Sequence, residues 1–163
     1  MTRKVGIFIA VFAMLALVAG TAFAGSVKFH SGPTVTFGTP TNGATATFNV
    51  SGLGNLEATA QLDLVGSVQT FCTNPGNGNV VPGQNPAITS GSSGPITLSD
   101  SDKNGRDDVV ISAALVTPAT PSPQAAGCPN KKWVVTLGAL TLISATLTIT
   151  YDGQVVFQQT YLP

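Results

Sequence analysis

Apolar and polar residues alternate with a period of two along much of the chain. Leu56, Ala58, Ala60, Leu62 and Leu64 are separated by Glu57, Thr59, Gln61 and Asp63, and Ile143, Ala145, Leu147, Ile149 and Tyr151 by Ser144, Thr146, Thr148 and Thr150. A strand points successive side chains to opposite faces, so such runs set one face on a core and the other in water. A helix needs apolar residues three and four apart, and these runs lack that spacing. Further strands are predicted at Val35–Gly38, Thr45–Ser51, Ser67–Thr73, Pro95–Ser99, Asp108–Val116, Trp133–Leu137 and Gln154–Tyr161. Asp152-Gly153 reads as a tight hairpin turn between the last two strands. About nine short strands in one domain predict an all-β fold, an antiparallel β-sandwich that is immunoglobulin-like in the broad sense.

Two stretches break the pattern. Asn74–Gly94 is almost entirely Asn, Gly, Pro, Ser and Gln, and Thr117–Asn130 is rich in Pro and Ala. Both read as long irregular loops, a length uncommon outside functional or disordered segments.

Composition changes the picture in one respect. Of 163 residues only 9% are charged, against about 25% in an average soluble domain. Thr, Ser, Asn and Gln take over the polar positions, and β-branched Thr suits a solvated sheet face. With seven basic and seven acidic residues there is no footprint for nucleic acid.

The N-terminus carries the layout of a secretory signal peptide. Arg3 and Lys4 precede an uncharged apolar run from Val5 to about Gly20, and Ala22-Phe23-Ala24 gives a small-x-small cleavage site. Cleavage after Ala24 leaves residues 25–163 as a single domain, expected to be secreted or held at the cell surface with no membrane span. That domain has five basic residues (Lys28, Lys103, Arg106, Lys131, Lys132) and all seven acids, a net charge of −2. So small a charge implies no charged partner.

The two cysteines, Cys72 and Cys128, are most simply one disulfide in an exported chain. Each sits by one of the long loops, so the bond would tie both loops together at one end of the sandwich.

A resemblance rests on these segments. Gly52-Leu53-Gly54-Asn55, the run Cys72-Thr73-Asn74-Pro75-Gly76 continuing to Pro82-Gly83-Gln84-Asn85, and Cys128-Pro129-Asn130 followed by Trp133 resemble a pattern in small exported bacterial proteins of unknown function. Each of those has a signal peptide, two cysteines and a predicted β-domain. The resemblance spans roughly Gly52 to Trp133 and implies export and cysteine pairing. It implies no catalytic or binding residue.

The most pointed constellation is the run from Asp100 to Asp108, in which four of the seven acids fall within nine residues. Read as D-x-D-x-N-G-x-x-D, it offers a structural calcium ion the side chains of Asp100, Asp102, Asn104 and Asp108 and the carbonyl of Arg106, with Asp107 turned away. The loop is similar to the calcium loops between strands of integrin-type propeller repeats. It departs from the helical EF-hand because Ile111 stands where a bidentate acid belongs. Equally, Asn104-Gly105 is a favoured hairpin dipeptide, and acids flanking an exposed turn need no ion. Both readings stay open.

Little else could carry chemistry. His30 is the only imidazole and reads as a surface or edge-strand residue, with no G-x-S-x-G elbow to build a nucleophile. Glu57 and Asp63 alternate with core residues and read as a solvated strand face. The expectation is a non-catalytic exported structural or surface-interaction domain, with a glycan or protein partner at the cell surface and self-association left open. The alternative is a lectin-like carbohydrate-binding module using the long polar loops and Trp133.

Overall fold

Nine strands form among the residues that the computed structural model describes, namely 27–38, 42–53, 56–99 and 106–163. They are β1 (Lys28–Phe37), β2 (Gly43–Ser51), β3 (Ala58–Thr73), β4 (Val80–Pro82), β5 (Ala87–Ser92), β6 (Ile96–Leu98), β7 (Arg106–Ala114), β8 (Val134–Tyr151) and β9 (Gln154–Tyr161). All pairings are antiparallel. One sheet has the order β1-β2-β7; in the other, β3 pairs with β8 on one side and with β4, β5 and β6 on the other, and β9 flanks β8. The expected sandwich forms, immunoglobulin-like in the broad sense of two packed antiparallel sheets.

The alternation in the sequence becomes the core. Ala58, Ala60, Leu62 and Leu64 of β3, Ala145, Leu147 and Ile149 of β8, and Ala44, Ala46, Phe48 and Val50 of β2 are all buried in one cluster. Val109, Ile111 and Ala113 of β7 close it from the second sheet. Alanines facing leucines let the two sheets interdigitate closely. The outward faces are solvated by cross-strand hydrogen bonds rather than by charge. Thr45 pairs with Ser112 at 2.8 Å, Thr146 with Thr160 at 2.9 Å, and Gln158 donates to Thr148 at 3.2 Å. This is how a domain so poor in charged residues presents polar surfaces.

The strands differ from expectation in three ways, each with a physical reason. The predicted Leu56–Leu64 and Ser67–Thr73 merge into one 16-residue strand, Ala58–Thr73, because Gly66 does not break it; Leu56, ahead of the strand, and Ile143, at a bulge of β8, are exposed and not on the core face expected of them. Gly66 is buried under Leu115, so it marks a close approach within a strand. Likewise Gly138 lies inside β8 with the Phe71 ring against it, where a Cβ would sit 2.7 Å from that ring. Third, Asn74–Gly94 is not one irregular loop: β4 and β5 lie within it and pair with β3. The Asp152-Gly153 turn forms as predicted, with φ of 49° and 71° at its two central residues, the signature of a type I′ hairpin.

β3 and β8, at 16 and 18 residues, run to roughly 50–60 Å at ~3.4 Å per residue. They project past the three-stranded sheet, whose strands have 9 or 10 residues. On the projecting part a different layer covers Val68, Thr70 and Cys72, all buried. That layer is the disulfide-tied end.

Candidate functional site

Cys72, buried on β3, is bonded to Cys128, 56 positions further along the sequence, with Cα atoms 5.7 Å apart. The bond anchors the tight turns of residues 122–128, where Ala126 N–H donates to Ser122 O and Cys128 N–H to Pro123 O. Ala126 is 1% exposed, so this segment is a packed cap and not a free loop. Residues 82–86 lie beside it. Asn85 N–H donates to Ala126 O at 3.1 Å and its side-chain amide to Ala125 O at 3.0 Å. Gly83 N–H donates to Thr70 O, and the Thr70 hydroxyl, fully buried, donates to Asn85 O at 2.8 Å. A buried hydroxyl without that acceptor would be costly.

The Cys72–Gly78 hairpin is equally self-sufficient. Asn74 pairs with Asn79 and Gly78 through its backbone, while Asn74 Oδ1 accepts from Gly76 N–H and Asn77 Oδ1 from Asn79 N–H. Within these two motifs, Cys72, Asn74, Gly83 and Asn85 are thus occupied in building the hairpin and the cap. Gly83 shows the tolerance. A Cβ there would meet Ala126 O at 2.7 Å and press on the Thr70 hydroxyl. Gly83→Ala should cost about 1–3 kcal/mol as overpacking, measured by denaturant unfolding. Gly76→Ala, whose nearest neighbour would be Asn74 Oδ1 at 3.3 Å, should cost less.

At the opposite margin, Asp100, Asp102 and Asn104 of the expected calcium loop lie outside the described residues. Arg106, Asp107 and Asp108 are already in β7, opposite Ser51, Val50 and Asn49 of β2. Neighbouring strand residues face opposite ways, and the two carboxylates diverge accordingly. Asp107 is half-buried and accepts Ser99 N–H at 3.0 Å. Asp108 faces solvent and accepts from Asn49 Nδ2 at 2.6 Å. Among the described residues, no three His, Cys, Asp or Glu side chains gather where they could hold a metal ion.

His30 lies on β1, an edge strand, with Nε2 2.6 Å from the Ser51 hydroxyl. The pair fastens β1 to β2 where their register shifts between Phe29 and Ser31. Beside it an open groove of about 240 Å³ is lined by Ser31, Gly32, Thr34, Thr47, Asp108 and Val110, among others. Trp133 is half-buried just before β8, its N–H donating to Asn130 O.

The Asn49–Asp108 and His30–Ser51 contacts were not predictable from sequence. Both depend on the β1-β2-β7 register, and residues 59 and 21 apart carry no local signal of it. Searches of protein-family models, curated proteins and solved structures find no match to this chain.

Proposed function

We propose that the chain is an exported, non-catalytic structural or surface-interaction domain. The observation that carries this reading is the use of its most specific motif. The two cysteine-flanked segments are joined to each other by the disulfide and by the Asn85 bonds to Ala125 and Ala126, and Asn74 and Asn77 are taken up within their own hairpin, so the motif's asparagines build structure. Export is supported by the N-terminal charge and hydrophobicity pattern, and the disulfide is compatible with it.

The test is thermal melting of the purified protein with millimolar calcium against chelator, and with a glycan panel. We expect superimposable curves, since the Asp107 and Asp108 carboxylates already accept hydrogen bonds within the chain. A single ion at a hundredfold excess over Kd would add about 2.7 kcal/mol, a shift of several degrees. Such a shift, lost in Asp102→Ala, would establish a calcium module. Saturable stabilisation by a sugar, lost in Trp133→Ala, would establish the lectin-like alternative. Free thiols in protein recovered after export would contradict the structural reading at its base.

A further inference from the structure

The edges of the two sheets are not alike. A free strand edge is a template for another strand, and proteins that remain single blunt it with charge, proline, bulges, short pieces or cover. β1 carries Lys28, contains Pro33, which has no N–H to offer, and shifts register twice against β2. Just past β7, the chain is covered by β5, where Val116 N–H donates to Ser90 O and the Thr89 hydroxyl to Val116 O. The side of β3 away from β8 is taken up by three pieces of three, six and three residues. Beyond the end of β9, β8 is bulged, with two register shifts in its pairing with β3.

Among the described residues, β9 has no such guard along most of its length. Gly153 to Pro163 contains no charged residue. Its one register shift lies at the start, opposite Ile149/Thr150, and leaves Phe157–Tyr161 as a regular strand. Val155 and Leu162 at its ends are 58% and 73% exposed. Val, Phe, Thr and Tyr are strong strand formers.

We propose that β9 is an assembly edge, at which a second copy of the chain adds by antiparallel β9-to-β9 pairing across a two-fold axis. A second copy is the occupant because the strand is self-complementary. A two-fold axis perpendicular to the sheet keeps each side chain on its own face, so residues of equal parity oppose one another. Centred on Gln159, the pairing sets Phe157 against the partner's Tyr161 twice over, and Gln158 against the partner's Thr160. Gln159 meets the partner's Gln159, where two amides can exchange hydrogen bonds. Aromatic pairs directly across strands are favourable, and no like charges meet. Centred on Gln158 instead, each Phe157 would face an amide. This pairing goes beyond the reading above and would stand if the domain proved to bind calcium or sugar.

The experiment is light scattering coupled to size-exclusion chromatography of the purified protein over a range of concentrations, with Gln159→Lys, Gln159→Cys and Gln158→Cys. Gln159 is exposed, so the lysine variant should melt as the parent does at low concentration. It opposes two ammonium groups at the axis and should raise the midpoint of dimerisation at least tenfold, about 1.4 kcal/mol. Gln159→Cys should form a covalent dimer on mild oxidation, since directly opposed Cα atoms lie about 4.5–5.5 Å apart; Gln158→Cys, opposed to Thr160, should not. A parent that stays monomeric to its solubility limit, a dimer indifferent to Gln159→Lys, or cross-linking through Gln158→Cys in place of Gln159→Cys would overturn the proposal.

Discussion

Replacing Cys72 and Cys128 together by serine should lower the unfolding free energy by about 4 kcal/mol. The figure follows from the 56-residue separation, because cross-linking a loop of that size removes about that much entropy from the unfolded chain. Domains of this kind are stable by only about 5–15 kcal/mol, so the loss is a large fraction of the total. It should also be local in its first effect. The cap of residues 122–128 holds to β3 through this bond, Asn85 and the Thr70–Asn85 contact, with few large apolar groups of its own. Without the disulfide it should detach before the sandwich opens, and exposed Lys131 and Lys132 beside it should become rapid tryptic sites. Denaturant unfolding and limited trypsin digestion of parent and double variant check both parts. Unchanged digestion would mean that the hydrogen bonds alone hold the cap.

The strands of the core were legible because their signal is local. In Ala58–Leu64 and Ala145–Ile149 every second residue is apolar, and those residues are the buried ones. What sequence could not show was length. Gly66 and Gly138 look like breaks, yet each is glycine because another group, Leu115 or Phe71, lies against its backbone, and those contacts come from distant parts of the chain. Strand β5 was hidden for a related reason. It contributes Ser and Gly to the sheet, with Thr89 its buried residue, so it has no apolar alternation to detect.

The candidate site was legible to a different degree at its two ends. The cysteine pairing followed from count and compartment, and its place beside both polar stretches is where the bond lies. That Asn85 would join the two stretches was not legible, because its partners lie about 40 residues away at Ala125 and Ala126. In the acidic run, sequence spacing already sets Asp107 apart from Asp108. What it could not show is what each meets, Ser99 N–H for Asp107 and Asn49 Nδ2 for Asp108, since neither partner is a neighbour in sequence.

Leu147→Ala should be nearly as damaging as loss of the disulfide, at about 3–5 kcal/mol. Leu147 is fully buried, opposite Leu62 on β3 within one cluster that spans both sheets. Truncation removes three carbons and leaves a cavity, whose cost depends on how far the neighbours can move into it. Here they can move little. Leu147 is held between strands paired on both sides, β3 and β9. Many residues in the surrounding cluster are alanines, among them Ala46, Ala60 and Ala145, which have no side-chain rotation with which to fill space. The control is Val110→Ala on the exposed face of β7, where Val110 is 67% exposed, and it should stay within about 0.5 kcal/mol. Denaturant unfolding at unchanged m separates a true stability loss from a change in the unfolded state. A loss below about 1 kcal/mol for Leu147→Ala would mean that the two sheets are not packed on each other at this layer. Leu62→Ala should then be measured with it, since two residues in direct contact should lose less together than the sum of their separate losses.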